Sequence, residues 1–247
     1  MVSEDLMINW VLARLPLGRN ATRPLFLIVA VLTTLVADAD AAAQNNAARL
    51  QWDLIWTGHY EATVDGRIGP ATQRAIRSYQ SAAGMLPSGE LSQAQRKQLT
   101  ADAAAAEAKA GWTIYQNPVA GYRIGYPAAL LPLSRSLGPT GQEFYRGDMS
   151  ANLAMLVTGP DSEAAFRASF DKIATDESHI TVYKIFRPNW FVVSFLINDS
   201  GYYVMSRRKA GATASYVLRW PKSEDRSFRP VATAIANSFH VPANIAR

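Results

Sequence analysis

The chain has 247 residues, 49% hydrophobic and 18% charged, with a formal net charge of +5 at pH 7. That length supports one or two domains with real cores, and the composition excludes a disordered chain. There is no cysteine, which excludes disulfides, thiolate-held metals, thiol nucleophiles and a cysteine-linked lipid anchor.

At the N-terminus, Arg14, Arg19 and Arg23 precede an apolar run of 13 residues, 25–37. The run is short for a bilayer span and suits the core of a signal peptide. Small residues at Ala37, Ala39, Ala41 and Ala43 set cleavage after Ala39 or Ala43, and Met7 is an alternative start. Residues 1–43 are therefore assigned to a signal peptide, with an uncleaved anchor as the competing reading. Export without disulfides points to a bacterial periplasm or the cell exterior, with no stable membrane anchor after cleavage. Residues 44–247 carry 22 Lys and Arg against 16 Asp and Glu, a net of +6. This mild excess suits an anionic surface such as a cell wall. No aromatic-plus-basic RNA signature or zinc-finger spacing is present, so no nucleic acid is expected.

Three helices are expected next, over residues 44–100. The first covers 47–57, with Leu50, Leu54 and Thr57 on one face. Trp52 and Trp56, spaced i, i+4, form a second apolar face roughly opposite, and Ile55 lies between the two. That helix is apolar nearly all round. Either the Trp face docks against the rest of the chain, or its rings stack on sugars or on a partner. Asp65-Gly66 is a turn pair, and Gly69-Pro70 starts the second helix, 70–83, which Gly84 ends. Ser92 and Gln95 form a capping-box pattern at the start of the third. The Ala-rich stretch 101–110 either extends that helix or links two domains.

Residues 111–242 are rich in strand signals. Residues 112–116 and 122–127 read as a hairpin around the turn NPVAG, and 153–158 as a further strand. A helix follows with Asp161 as N-cap and Phe166, Phe170 and Ile173 on one stripe. Strands at 180–187, 190–198, 202–209 and 214–220, joined by short turns, predict an antiparallel meander. The strand at 190–198 is apolar on both faces, which predicts a central position covered twice. A closing helix, 228–239, carries Val231, Ile235 and Phe239 inward. The fold class expected is α + β in two domains, a small three-helix bundle followed by an α/β/α layer domain with an antiparallel meander.

The positions Leu50-Gln51, Leu54, Gly58, Val64-Asp65-Gly66, Gly69-Pro70, Thr72, Ile76, Tyr79-Gln80, Gly89 and Leu91 recur at a spacing that resembles the three-helix peptidoglycan-binding domain family, over residues 49–100. Gly58-His59-Tyr60 departs from the family's direct Gly-Tyr, and Thr57 replaces a usual apolar residue. The resemblance implies a ligand of wall glycan and short peptides. It nominates Asp65, Gly66, Thr72, Tyr79 and Gln80 as ligand-binding residues, to which the exposed-face reading of the first helix adds Trp52 and Trp56. Turn and helix-start roles already explain Asp65, Gly66, Gly69 and Pro70, and Tyr79 also reads as core. Residues 111–242, in element order and in the segment GYRIGYP, are similar to the PsbP-like group. That likeness implies a non-catalytic role in protein interaction or assembly and transfers no site residue.

Catalytic chemistry finds little support. His59, His179 and His240 lack the spacing of a metal site, and no cofactor is expected. Ser169 with Lys172, Ser150 with Asn152, and Lys209-Ala-Gly211 imitate penicillin-binding motifs, but in the wrong order and on too small a domain. Glu143, Glu163, Glu177 and Glu224 are nominal candidates for glycan cleavage. Arg187, Arg207, Arg208, Lys209, Arg219, Lys222, Arg226 and Arg229 lie near strand ends or on the last helix, where several would gather into an anion-attracting edge or form an ordinary basic rim. The expected function is that of an exported, non-catalytic peptidoglycan-binding protein whose C-terminal domain contacts a protein partner or an anionic ligand. The alternative is a cell-wall hydrolase with an unrecognised active site in that domain.

Overall fold

A computed structural model describes residues 37–159, 162–209 and 211–243, with backbone alone for 37–43. The signal-peptide assignment falls largely on residues 1–36, outside the described residues.

Helix α1 (Ala37–Trp56) begins well before the expected residue 47. Helix α2 (Pro70–Ala82) starts at its proline as expected, because a first-turn residue needs no N–H partner. Helix α3 (Gln93–Ala110) carries the full capping box between Ser92 and Gln95. It runs through the Ala-rich stretch, which is therefore a helix extension, and it stops at Gly111 in the left-handed region. Buried Asp53 ties α1 to α3. Arg49 and Arg96 stand 2.8 and 3.3 Å from its carboxylate, and Thr100 donates to it at 2.8 Å.

The chain then forms the hairpin β1 (Trp112–Gln116) and β2 (Arg123–Pro127). A seven-stranded antiparallel sheet follows. Its strands are β3 (Leu133–Ser136), β4 (Gln142–Tyr145), β5 (Asn152–Thr158), β6 (Ile180–Arg187), β7 (Trp190–Ile197), β8 (Ser200–Lys209) and β9 (Ala212–Pro221), in the order β3-β4-β5-β9-β8-β7-β6. Helix α4 (Glu163–Ala174) packs on β6 and β7, and helix α5 (Asp225–Ser238) packs on the other face against β8 and β9. The fold is thus α + β, three helices followed by an antiparallel sheet between helical layers.

Three expectations need correction. Strands β3 and β4 were not anticipated, because LSRS and QEFY are short and show no clear alternation. Helix α4 is capped by Ser162, whose hydroxyl accepts from the Ala165 N–H at 3.1 Å, while Asp161 lies outside the described residues. Strand β7 is next to the edge, not central. Its Phe191, Val193 and Phe195 are buried under Phe166 and Phe170 of α4, but Trp190, Ser194 and Leu196 on the opposite face stay partly exposed.

The hydrophobic core runs without a break from the helices into the sheet domain. One cluster joins Leu54, Ile55, Trp56 and Leu99 to Leu218, Trp220, Phe228 and Ile235. Trp52 and Trp56 meet Trp112 of β1 edge-on, with ring centroids at 5.8 and 5.2 Å. Gly125 of β2 makes room for that ring, since a Cβ there would come within 1.9 Å of the Trp112 indole. Asn237 of α5 accepts from the Val64 N–H at 2.7 Å and donates to the Ala62 carbonyl at 3.1 Å. The ion pair between Arg229 and Glu61 crosses the same junction, but both side chains are more than half exposed. Exposed pairs contribute little, so Arg229→Ala should change the unfolding free energy by less than ~1 kcal/mol in a urea titration. A larger loss would move the weight of the junction from its aromatic seam to its rim.

Candidate functional site

Residues 57–69 connect α1 to α2, and one buried side chain holds the later part of this segment. Gln51 of α1 donates through Nε2 to Asp65 Oδ1 at 2.7 Å, the Arg67 carbonyl at 3.0 Å, Tyr60 Oη at 3.1 Å and Thr72 Oγ1 at 3.2 Å. Its Oε1 accepts from the Asp65 and Gly66 N–H groups at 3.1 and 2.9 Å. Gly66 turns at φ +70, and a Cβ there would stand 3.0 Å from the Gln44 carbonyl, so both conformation and space favour glycine. Asp65 Oδ1 also accepts from the Arg67 N–H at 3.0 Å, closing an Asx turn.

A second buried glutamine repeats the device. Gln80 of α2 donates to the Glu90 carbonyl at 2.8 Å and to Ser88 Oγ at 3.1 Å, and it accepts from the Gly89 N–H at 3.0 Å. One glutamine from each of two helices therefore fixes a loop that has no regular structure of its own. Each satisfies backbone groups that would otherwise be unpaired and buried.

The structure divides the nominated residues. Asp65 is exposed and Gly66 half-buried, at the tip of the fixed loop beside exposed Arg67 and Ile68. Thr72, Tyr79 and Gln80 are buried. Thr72 donates to the Arg67 carbonyl at 3.2 Å, and Tyr79 donates to Asp102 at 2.8 Å. Burial, and secondarily the Asp102 bond, push the Tyr79 hydroxyl up to about 12. All three side chains are thus engaged inside the helical domain, as the core reading of Tyr79 anticipates. Trp56 is buried as well, and Trp52 is partly exposed against Trp112. The Trp face thus docks on the sheet domain. Beside it, an open depression of about 570 Å³ runs between the end of α3 and β1, lined by Ala104, Glu107, Ala108 and Trp112 among others.

Gln51 was among the residues that carried the family resemblance, yet its role as a hub was not foreseen. Neither were the exposed Arg67 and Ile68. The signal for Gln51 was an amide at a helix position whose neighbours Leu50 and Leu54 are core.

The Gln51 bond, followed by the Arg67 N–H, holds the Asp65 carboxyl below its ordinary value of 3.8. A carboxyl lowered in the folded state stabilises the loop fully above its unfolded value. That contribution disappears as pH falls through the folded value. An NMR titration of the Asp65 carboxyl carbon should give a midpoint below 3.8, moving upward in Gln51→Ala. A midpoint at 3.8 or higher in the native chain would contradict this assignment.

The other nominal sites are occupied internally. Ser169 Oγ bonds the Ala165 carbonyl one turn back at 2.9 Å. Glu143 is buried between Arg135 and Asn152. Three of the basic residues are engaged by groups of the chain itself. Arg229 pairs with Glu61, Arg219 donates to the Met149 carbonyl, and Lys209 donates to the Val241 carbonyl. Among the described residues, no helix is long and apolar enough to cross a membrane.

Among solved structures, the chain is similar to cyanobacterial PsbP (CyanoP) from Synechocystis sp. PCC 6803. Identity is 12%, coverage is 53% of this chain and 92% of that one, and the TM-score is 0.41. A protein from Bacteroides thetaiotaomicron is similar at 11% identity, over 53% of this chain and 48% of that one, with a TM-score of 0.34. No curated protein matches the chain. Residues 43–99, which hold both glutamine-fixed loops, match the family described as "Putative peptidoglycan binding domain".

Proposed function

We propose that this is an exported, non-catalytic protein that binds peptidoglycan through the loop that Gln51 fixes, while its sheet domain engages a partner. The observation that carries the reading is the family match over residues 43–99, together with a rigid loop that presents Asp65, Gly66, Arg67 and Ile68 outward. A wall ligand offers hydroxyls, amides and carboxylates. Asp65 supplies an acceptor, Arg67 a charged donor, and Ile68, 56% exposed, an apolar contact. Thr72, Tyr79, Gln80 and Trp56 act from beneath by holding this surface, and the partly exposed edge of Trp52 contacts the ligand if the wall strand reaches the junction.

Incubation of the pure protein with sacculi tests the reading. The protein is expected to pellet and to leave no soluble muropeptides, and the double variant Arg67→Ala/Ile68→Ala is expected to stay in the supernatant while melting normally. Released muropeptides would replace this reading with that of a wall hydrolase. Failure of the native chain to pellet at physiological salt would remove wall binding altogether.

A further inference from the structure

The sheet face opposite α4 is covered at β8 and β9 by α5, and among the described residues no helix makes a comparable contact with the β6–β7 end of that face, whose Ile185, Trp190 and Tyr203 border the main core. Strand pairing sets the rows on that face. Ile180 faces Leu196, Tyr183 faces Ser194 and then Tyr203, Ile185 faces Val192 and then Met205, and Arg187 faces Trp190 and then Arg207. Val192 and Met205 form a buried floor, while Ile185, Trp190, Leu196 and Tyr203 are partly open. At the rim, Ile180 is 70% and Tyr183 52% exposed.

Strand β6 is also a sheet edge, where proteins usually place charge as protection. Its Lys184 is turned to the other face, where Nζ bonds the Ala174 carbonyl. A bulge between Thr181 and Tyr183 breaks the regular ladder, so the edge suits contact with side chains better than addition of another strand. An apolar patch of this kind on a folded chain marks an interaction surface.

Arg207 supplies the direction. Its guanidinium lies 6.0 Å over the Phe239 ring, near the phenols of Tyr203 and Tyr216, and its Nε has no hydrogen-bond partner. No carboxylate among the described residues pairs with it. A partly desolvated guanidinium without a counter-charge is costly, and a planar carboxylate is its best complement.

We propose that the face bounded by Tyr183, Trp190, Tyr203 and Arg207 is the docking surface for a partner polypeptide segment that is apolar on one side and places one carboxylate on Arg207. This rests on the partner half of the reading above and gives that partner a chemistry.

The test selects a displayed library of random dodecapeptides on the full chain. Binding of the selected peptides is then measured by fluorescence anisotropy. Selected sequences should combine apolar residues with Asp or Glu. Arg207→Met and Tyr183→Asp should each weaken binding at least tenfold. Changing the peptide acid to its amide should cost the native chain tenfold and the Arg207→Met chain nothing. If Arg207→Met does not fold, the exposed Tyr183→Asp position carries the same test. The proposal is overturned if no peptide is selected, or if binding is indifferent to both variants. A dimer in sedimentation equilibrium that Ile180→Asp dissolves would give the face to a second copy and overturn it too. So would a Tyr183 that resists nitration in the free monomer, which would assign the face to the chain's own remaining residues. Pelleting with sacculi, read on the same preparation, reports the helical domain alone, so failure of the wall-binding reading and failure of this one are separate results.

Discussion

Replacing Trp56 with Ala is expected to destabilise the whole chain by about 3–5 kcal/mol, the range for deleting a buried aromatic side chain. Trp56 is 4% exposed and meets Trp52 and Trp112 at 6.2 and 5.2 Å between ring centroids. The substitution therefore opens a cavity where three rings from the helical domain and β1 converge. For a chain of this size the loss corresponds to a fall in melting temperature on the order of 10 °C. Because one core cluster spans both parts of the chain, the native protein is expected to unfold in a single transition. Intrinsic fluorescence and far-ultraviolet circular dichroism should then trace coincident urea curves. Two separated transitions would show that the Trp seam is a contact between independently stable domains. Pairing Trp56→Ala with Trp112→Ala should reveal a coupling of roughly 0.5–1.5 kcal/mol, as expected for interacting aromatic rings.

The second large effect is expected at Gln51. Gln51→Leu keeps most of the volume but removes an amide that stands within hydrogen-bond distance of six polar groups. It leaves buried partners at Tyr60 and Thr72 without their amide. Stranding buried polar groups costs about 1–3 kcal/mol each, so a total loss of roughly 3 kcal/mol is expected in denaturant titration. The diagnostic readout is local. Amide exchange at Asp65 and Gly66 should accelerate more than exchange in α3, because their acceptor is gone while the helices remain packed. Wall pelleting should fall further than the folded fraction does. Equal protection at Asp65 and Gly66 in both proteins would show that the turn holds itself without Gln51.

Local chemistry explains why much of this architecture was legible in the chain. Pro70 at a first helical turn, the Ser92–Gln95 capping box and the short turns of the meander each depend on neighbours close in sequence, and each formed where expected. Strands β3 and β4 were not legible, because four-residue segments of mixed polarity become strands only through pairing, β3 with β4 and β4 with β5. The placement of β7 failed for a related reason. Apolarity on both faces says that a strand avoids water, but not which strand or partner lies beside it. In the candidate site, the turn at Asp65-Gly66 was readable from its residues. The burial of Thr72 and Gln80 was not, because a polar residue on a helix reads the same whether it meets water or a loop.

By itself, the sequence determined the helices of the N-terminal domain, their resemblance to the peptidoglycan-binding family and the antiparallel meander, because periodicity, caps and turns are properties of short segments. Only the tertiary structure decided that the Trp face closes on Trp112, that Gln51 and Gln80 are internal struts, and that, among the described residues, one end of the sheet keeps a partly open apolar face beside an Arg207 with no carboxylate partner. Those outcomes depend on groups distant in the chain meeting in space, and on which polar atoms find partners there. No local pattern encodes that.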